Sequence, residues 1–291
     1  MASSAYHGNA DCKQQMLERL AGLEDAGNWI ARPIHWNGEA GSLVGSLLQG
    51  EDLDRWVSDF GLPKWLALLL DELLVASPDP REGARAGKQI LDAIPVGADL
   101  QRAGSRIILA LLVDEHDGLV IDAASYGLGE ALSLVSGLHR SCVQGDDVPA
   151  SKWRLVRKTL VALTDTMASD SRATAVGTCV EAAAWDPATS RTTVSDTLRT
   201  RLWIMAEKAG EARPPDMTEA EETGIRTLLG QLYADARQSM GDSAVIDVFK
   251  LLKEQHPDAY ARVKATNAYR NAQARAQWVR GADIVHAVLA A

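Results

Sequence analysis

The chain has 291 residues, with 30 Lys and Arg against 39 Asp and Glu, for a net charge of −9. Hydrophobic residues make up 46 % and charged residues 24 %, a balance that excludes a disordered or fibrous chain and leaves one large domain or two medium ones. The longest apolar runs, Trp65–Leu70 and Ile107–Val113, fall far short of the ~18–20 residues that a membrane span needs.

Helical periodicity runs through nearly the whole sequence. Met16, Leu17, Leu20 and Leu23 recur on one face and predict a helix over about 11–28. A Gly-bearing stretch, Arg32 to Gly38, follows. Leu43 to Leu48 predicts a short helix. Leu53, Trp56, Val57 and Phe60 predict another, stopped by Gly61, with Trp56 on its buried side. Pro63 suits the start of the next helix, where its missing N–H is not needed. That helix, 64–76, is apolar nearly all round and therefore belongs in a core. After a loop from Ser77 to Gly83, helices are expected over 84–94, 98–116 and 122–140.

The stretch Val143 to Pro149 is the candidate linker. Beyond it Trp153, Val156, Leu160, Leu163 and Met167 repeat at three and four and predict a long amphipathic helix; another covers 171–185. Asp186-Pro187 reads as a helix start, opening a helix to about Ala209 that buries Val194, Leu198, Leu202 and Met205. Pro214-Pro215 breaks the chain, and Thr218 with Glu221 matches a capping box. Leu228, Leu229, Leu232 and Tyr233 continue that helix, and two more are expected over 242–255 and 257–289. No segment alternates with period two. The expected fold is all-α, about a dozen helices packed as an array of helical hairpins, with a degenerate helical repeat as a variant of it. Leu68, Leu69, Leu109, Leu112, Leu160, Leu198 and Leu229 are the expected core. The 45 Ala and 35 Leu residues agree with this, since both types favour helices.

Charge suggests a division near residue 147. Residues 1–150 carry 11 basic and 22 acidic side chains, net −11, whereas residues 151–291 carry 19 and 17, net +2. The expected domains are an acidic helical N-terminal half, 1–147, and a near-neutral helical C-terminal half, 148–291, with a single domain as the alternative. The three cysteines, Cys12, Cys142 and Cys179, form no Cys-x-x-Cys pair, which argues against a disulfide framework and a cysteine zinc site. The N-terminus lacks the basic and apolar regions of a secretory signal. A reduced, cytoplasmic protein is expected. Eight Trp against two Phe, with abundant Ala, point to a GC-rich bacterial genome.

The densest titratable cluster is Asp114-Glu115-His116-Asp117. Its His116-Asp117 dipeptide resembles the His-Asp pair of the HD-type metal phosphohydrolases, a family that is also all-helical. The resemblance implies a divalent metal held by imidazole and carboxylate that activates water for attack on phosphorus. His116 and Asp117 would be ligands and His35 or His7 the upstream histidine. The structural alternative is a helix end at Gly118 with charged residues in an exposed turn. Other chemistries fall away. Gly83 to Lys88 is one residue short of a phosphate loop and follows no strand. There is no G-x-S-x-G and no S-x-x-K, and no two of the six histidines are four apart. No cofactor is expected.

Lys152, Arg154, Arg157 and Lys158 cluster around Trp153. They read as the solvated face of a helix, because the overall acidity opposes nucleic-acid binding. The acidic half is better suited to steering a basic protein. Trp36, beside His35 in the Gly-bearing stretch, is the aromatic candidate for a contact, and Glu51, Asp52, Asp54 and Asp59 are the candidate carboxylates. The leading expectation is a non-enzymatic protein-binding protein of a bacterial cytoplasm, an adaptor or an immunity-type inhibitor that neutralises a toxin. The alternative is a metal-dependent HD-like phosphohydrolase using His116 and Asp117.

Overall fold

A computed structural model describes residues 4–114, 118–167, 171–241 and 245–291. The fold is all-α, 73 % helical in fourteen helices, with no strand among the described residues. No described helix is long and apolar enough to cross a membrane.

The early helices follow the sequence signals closely. α1 (Ala10–Ala26) begins behind Asn9, whose side chain accepts from the Asp11 N–H, and ends at Gly27 with φ 67°. α2 (Leu43–Leu48), α3 (Leu53–Phe60) and α4 (Lys64–Ala76) lie where periodicity puts them. α4 is the heart of the core. Leu66, Leu69, Leu70, Leu73 and Leu74 are all fully buried, each worth roughly 1.5–3 kcal/mol of apolar burial. α2, α3 and α5 (Pro80–Ala93) pack around it.

Several boundaries depart from the sequence reading: the helix expected from 98 begins at Ala103, the one expected from 242 begins at Val248, and three others have a local cause. α5 starts at Pro80 because Asp79 caps the Arg81 N–H and Pro80 occupies the first turn. Gly83 therefore lies inside the helix, so close to α4 that a Cβ there would meet the Leu74 Cα at 2.7 Å. After α6 (Ala103–Val113), the helix expected over 122–140 is two. α7 (Val120–Ser125) and α8 (Gly129–Gln144) are separated at Gly127, whose φ is 73°. Asp186-Pro187 opens no helix. Asp186 caps a turn through the Ala188 N–H, and the Pro187 ring packs where a Cβ on Gly104 would approach to 2.8 Å. The next helix begins six residues later, where the buried Thr193 hydroxyl donates to the Ala182 carbonyl.

α9 (Ala150–Thr164), α10 (Arg172–Ala183), α11 (Thr193–Glu211), α12 (Glu219–Met240), α13 (Val248–Gln255) and α14 (Pro257–Ala290) complete the chain. Two compact units result: Met1–Ile204 with Gln277–Ala291, and Met205–Ala276. Residue 147 lies inside the first, where α8 and α9, on either side of the expected linker, pack on each other. In that unit Trp278 Nε1 donates to the Leu73 carbonyl at 3.0 Å, and buried Arg201 donates from Nε to the Leu111 carbonyl at 3.1 Å. The second unit has a thin core centred on Met217, Leu232 and Leu252. Its α12 starts at the expected capping box, Thr218 with Glu221.

Among the expected core leucines, Leu69, Leu112, Leu160 and Leu198 are buried. Leu68, Leu109 and Leu229 are only half-buried. The first two sit on helices so apolar that periodicity cannot select the inner face. Leu229 lines a cleft in the second unit.

Candidate functional site

The acidic candidates sit on α3 and the turn before it, and that region is built around one buried carboxylate. Asp71 on α4 is fully buried. Its Oδ1 accepts from the Val44 N–H at 3.0 Å and its Oδ2 from the Ile34 N–H at 2.7 Å. It thereby fastens both the 30–42 loop and the start of α2, whose first N–H groups have no partner within the helix. The Ser42 hydroxyl completes the anchor, accepting from the His35 and Gly45 N–H groups. The loop then presses so hard on α2 that a Cβ on Gly45 would lie 2.0 Å from the His35 carbonyl oxygen. Ile34 takes φ 45° to make the bend.

This loop presents Trp36, half-buried and bridged to Gly41. His35 Nδ1 lies 3.2 Å from Glu51 Oε1, which ties the loop to the turn before α3. Asp52 is the cap of α3, accepting from the Asp54 N–H at 2.8 Å. Asp54 reaches Lys64 Nζ at 2.5 Å, and that ammonium holds its carboxyl below the ordinary value. Asp59 lies 3.3 Å from Arg55 Nη2. All four carboxylates are exposed. Two of the four face a cation of the same chain, so the field of the patch is weaker than its composition suggests. Trp56, fully buried, is behind the patch as the spacing requires.

The metal candidates are not assembled by the described residues. His116 and Asp117 lie outside them. His35 is engaged with Glu51, and Asp114 accepts from Arg280 Nη2 at 2.7 Å. Among the described residues, no group of three or more His, Cys, Asp or Glu side chains could hold a metal ion.

A feature that sequence reasoning missed lies between α5 and the end of α14, within the first unit. A groove of about 510 Å³ runs there. Ala86, Ile90, Ala93, Trp278, Val279 and Ala282 supply its apolar lining, and Glu82, Asp92 and Asp283 supply acids along it. Arg85, on the same groove, pairs with Glu24 at 3.4 Å. Lys13 bonds the Asp92 and Ile94 carbonyls and so closes the C-terminal end of α5. No family model, curated protein or solved structure matches this chain. The α5 and α14 walls are nearly two hundred residues apart in sequence, and the one local signal was a Trp in an Ala-rich helix.

Two further surface features have sequence counterparts. The basic residues Lys152, Arg154 and Lys158 are exposed on α9, and Arg157 stacks on Trp185 with its guanidinium 3.4 Å from the ring centroid. His139, by contrast, is wholly interior. It meets the Ala183 carbonyl at 2.7 Å and the Ser105 hydroxyl at 3.2 Å, and lies edge-on to Trp153. Burial depresses its pKa to about 4, against the opposing pull of the Ala183 carbonyl. A neutral imidazole, donating to Ala183 and accepting from Ser105, satisfies both hydrogen bonds.

Proposed function

We propose that the chain is a non-enzymatic protein-binding protein of a bacterial cytoplasm, an adaptor or toxin-neutralising inhibitor, that seats a basic amphipathic helix of its partner. The observation that carries this reading is the α5–α14 groove. Small side chains, Ala86, Ala93 and Ala282, line it with Ile90 and Trp278, which would let a partner helix approach closely. Its acids, Glu82, Asp92 and Asp283, complement flanking lysines or arginines. The exposed carboxylates Glu51, Asp52, Asp54 and Asp59 add long-range attraction for the same kind of partner, and Trp36 offers an aromatic contact beside them. The metal-hydrolase alternative has no observation of its own among the described residues.

The test begins with a photo-crosslinking amino acid at Gln89, on the groove, in cells of the source organism. A partner caught there is then purified and its association rate measured at low and physiological salt. The reading expects a rate that falls as salt screens the charges over ~8 Å. It expects a further several-fold drop for the Asp52→Asn/Asp54→Asn/Asp59→Asn chain and loss of binding for Ala282→Trp, which fills the groove. A partner that binds the Ala282→Trp chain as it binds the parent refutes the groove. Equal rates for the triple variant and its parent at low salt refute the acidic face.

A further inference from the structure

The second unit contains a cleft that the protein-binding reading does not use. It lies among α12, α13 and α14 and encloses about 230 Å³, below the roughly 300–1,000 Å³ of pockets for drug-sized molecules. One side is apolar: Met217, Ile225, Leu229, Phe249 and Val263. Met217 is buried at 6 % exposure, yet Phe249 is 48 % exposed, and Ile225, Leu229 and Val263 are only half-buried. The unit thus leaves an apolar concavity open beside an already thin core. Covering it removes apolar surface from water, which is favourable in proportion to the area.

The other side of the cleft offers donors. Arg226, Asn267, Arg270 and Glu222 line it. The Glu222 carboxylate is already committed, accepting from Arg213 Nε at 3.0 Å and from Arg270 Nη2 at 2.8 Å, and Arg226 Nη2 stands 3.8 Å from it. One carboxylate thus faces three guanidiniums, and two of them, Arg213 first and then Arg270, hold it below its ordinary pKa. The neighbouring acids are occupied elsewhere: Asp216 with Arg262, and Glu221 in the cap of α12. Guanidinium is donor-only, with five N–H groups. Arg270 uses Nε on the Ala212 carbonyl and Nη2 on Glu222, which leaves Nη1 for a further acceptor. Thr266 donates to the Arg262 carbonyl within its own helix.

A small apolar wall next to donor-only cations matches a small molecule with an apolar body and one anionic head. We infer that this cleft binds a short aliphatic or aryl-substituted monocarboxylate, its tail against Met217 and Phe249 and its carboxylate between Arg226 and Arg270. Such a ligand leaves the Glu222 pairs intact and completes the core of the unit, so binding and local stability are linked.

The probe is 3-phenylpropanoate, titrated into the full chain carrying ¹³C-methyl methionine, with 3-phenylpropanamide as the uncharged isostere. The proposal expects a saturable shift of the Met217 methyl with the acid and an affinity for the amide at least tenfold lower. Arg226→Gln, on an exposed side chain, should weaken the acid about fivefold and leave amide binding unchanged. Leu229→Phe should fill the cleft and remove the shift, with helicity checked by circular dichroism. Ile225→Phe serves the same purpose if Leu229→Phe fails to fold. Equal affinities for acid and amide overturn the assignment of the head group. An unmoved Met217 methyl, or a shift that survives the folded cleft-filling variant, overturns the site.

Discussion

Asp71→Asn tests the physical account of the 30–42 loop most directly. Asp71 is fully buried, and burial raises its pKa from an ordinary value of about 3.9 to about 6, with the N–H groups of Val44, Ile34 and Leu43 and the Ser42 hydroxyl restraining the rise. Between about pH 4 and 6 the folded chain therefore holds a proton that the unfolded chain has released. The associated stability is complete below about pH 4 and is lost as pH climbs through about 6. Two pKa units at 1.36 kcal/mol each set its ceiling at about 3 kcal/mol. Asparagine does not titrate, so the stability advantage of the parent over Asp71→Asn should shrink by up to that amount between pH 4 and 7. A pH-independent cost is superposed. The amide presents one oxygen where the carboxylate presents two, so either the Ile34 or the Val44 N–H loses its acceptor, at about 1–3 kcal/mol. Urea unfolding of both chains at half-unit pH steps measures the difference, and titrations elsewhere cancel. A difference that stays constant over this range shows that Asp71 titrates as it does in the unfolded chain. A difference that grows with pH shows that the N–H bonds favour the anion more than burial opposes it. Either result refutes the reasoning.

His139 should act with the opposite sign in an overlapping window. Its folded pKa is depressed to about 4, so its stability is present above the ordinary value of about 6.5 and is lost as pH falls towards 4. His139→Gln, which can still donate to Ala183 and accept from Ser105, should make the acid-side decline shallower by up to about 3 kcal/mol in the same urea series. Leu69→Ala, at a fully buried site on α4, should cost ~2–5 kcal/mol. Leu229→Ala, half-buried on the cleft wall, should cost about 1 kcal/mol or less. Equal shifts in the unfolding midpoint for the two leucines would contradict this assignment of the core.

Fold class and most of the helices were legible along the chain. Those signals are local: a 3.6-residue apolar period, Pro63 just ahead of a helix, Thr218 with Glu221 as a capping box, Gly61 as a stop. It also placed Trp56 and Leu69 inside, because an amphipathic or all-apolar helix has few other ways to bury its surface. Tertiary structure decided the rest. Pro187 became a packing wedge against Gly104, since the space left by a missing Cβ is a property of the helix and the turn that packs on it and of neither alone. Leu229 became a cleft wall, because which leucines of a helix face a partner depends on where the partner lies. The exposed acids of α3 were legible, but their pairing with Lys64 and Arg55 depends on side-chain reach across turns. The groove was legible only through the lone Trp278: its α5 and α14 walls come from distant parts of the chain, and Trp278 of α14 anchors on the Leu73 carbonyl of α4. A site made by helices so far apart in the chain leaves no periodicity and no spacing for a sequence to display.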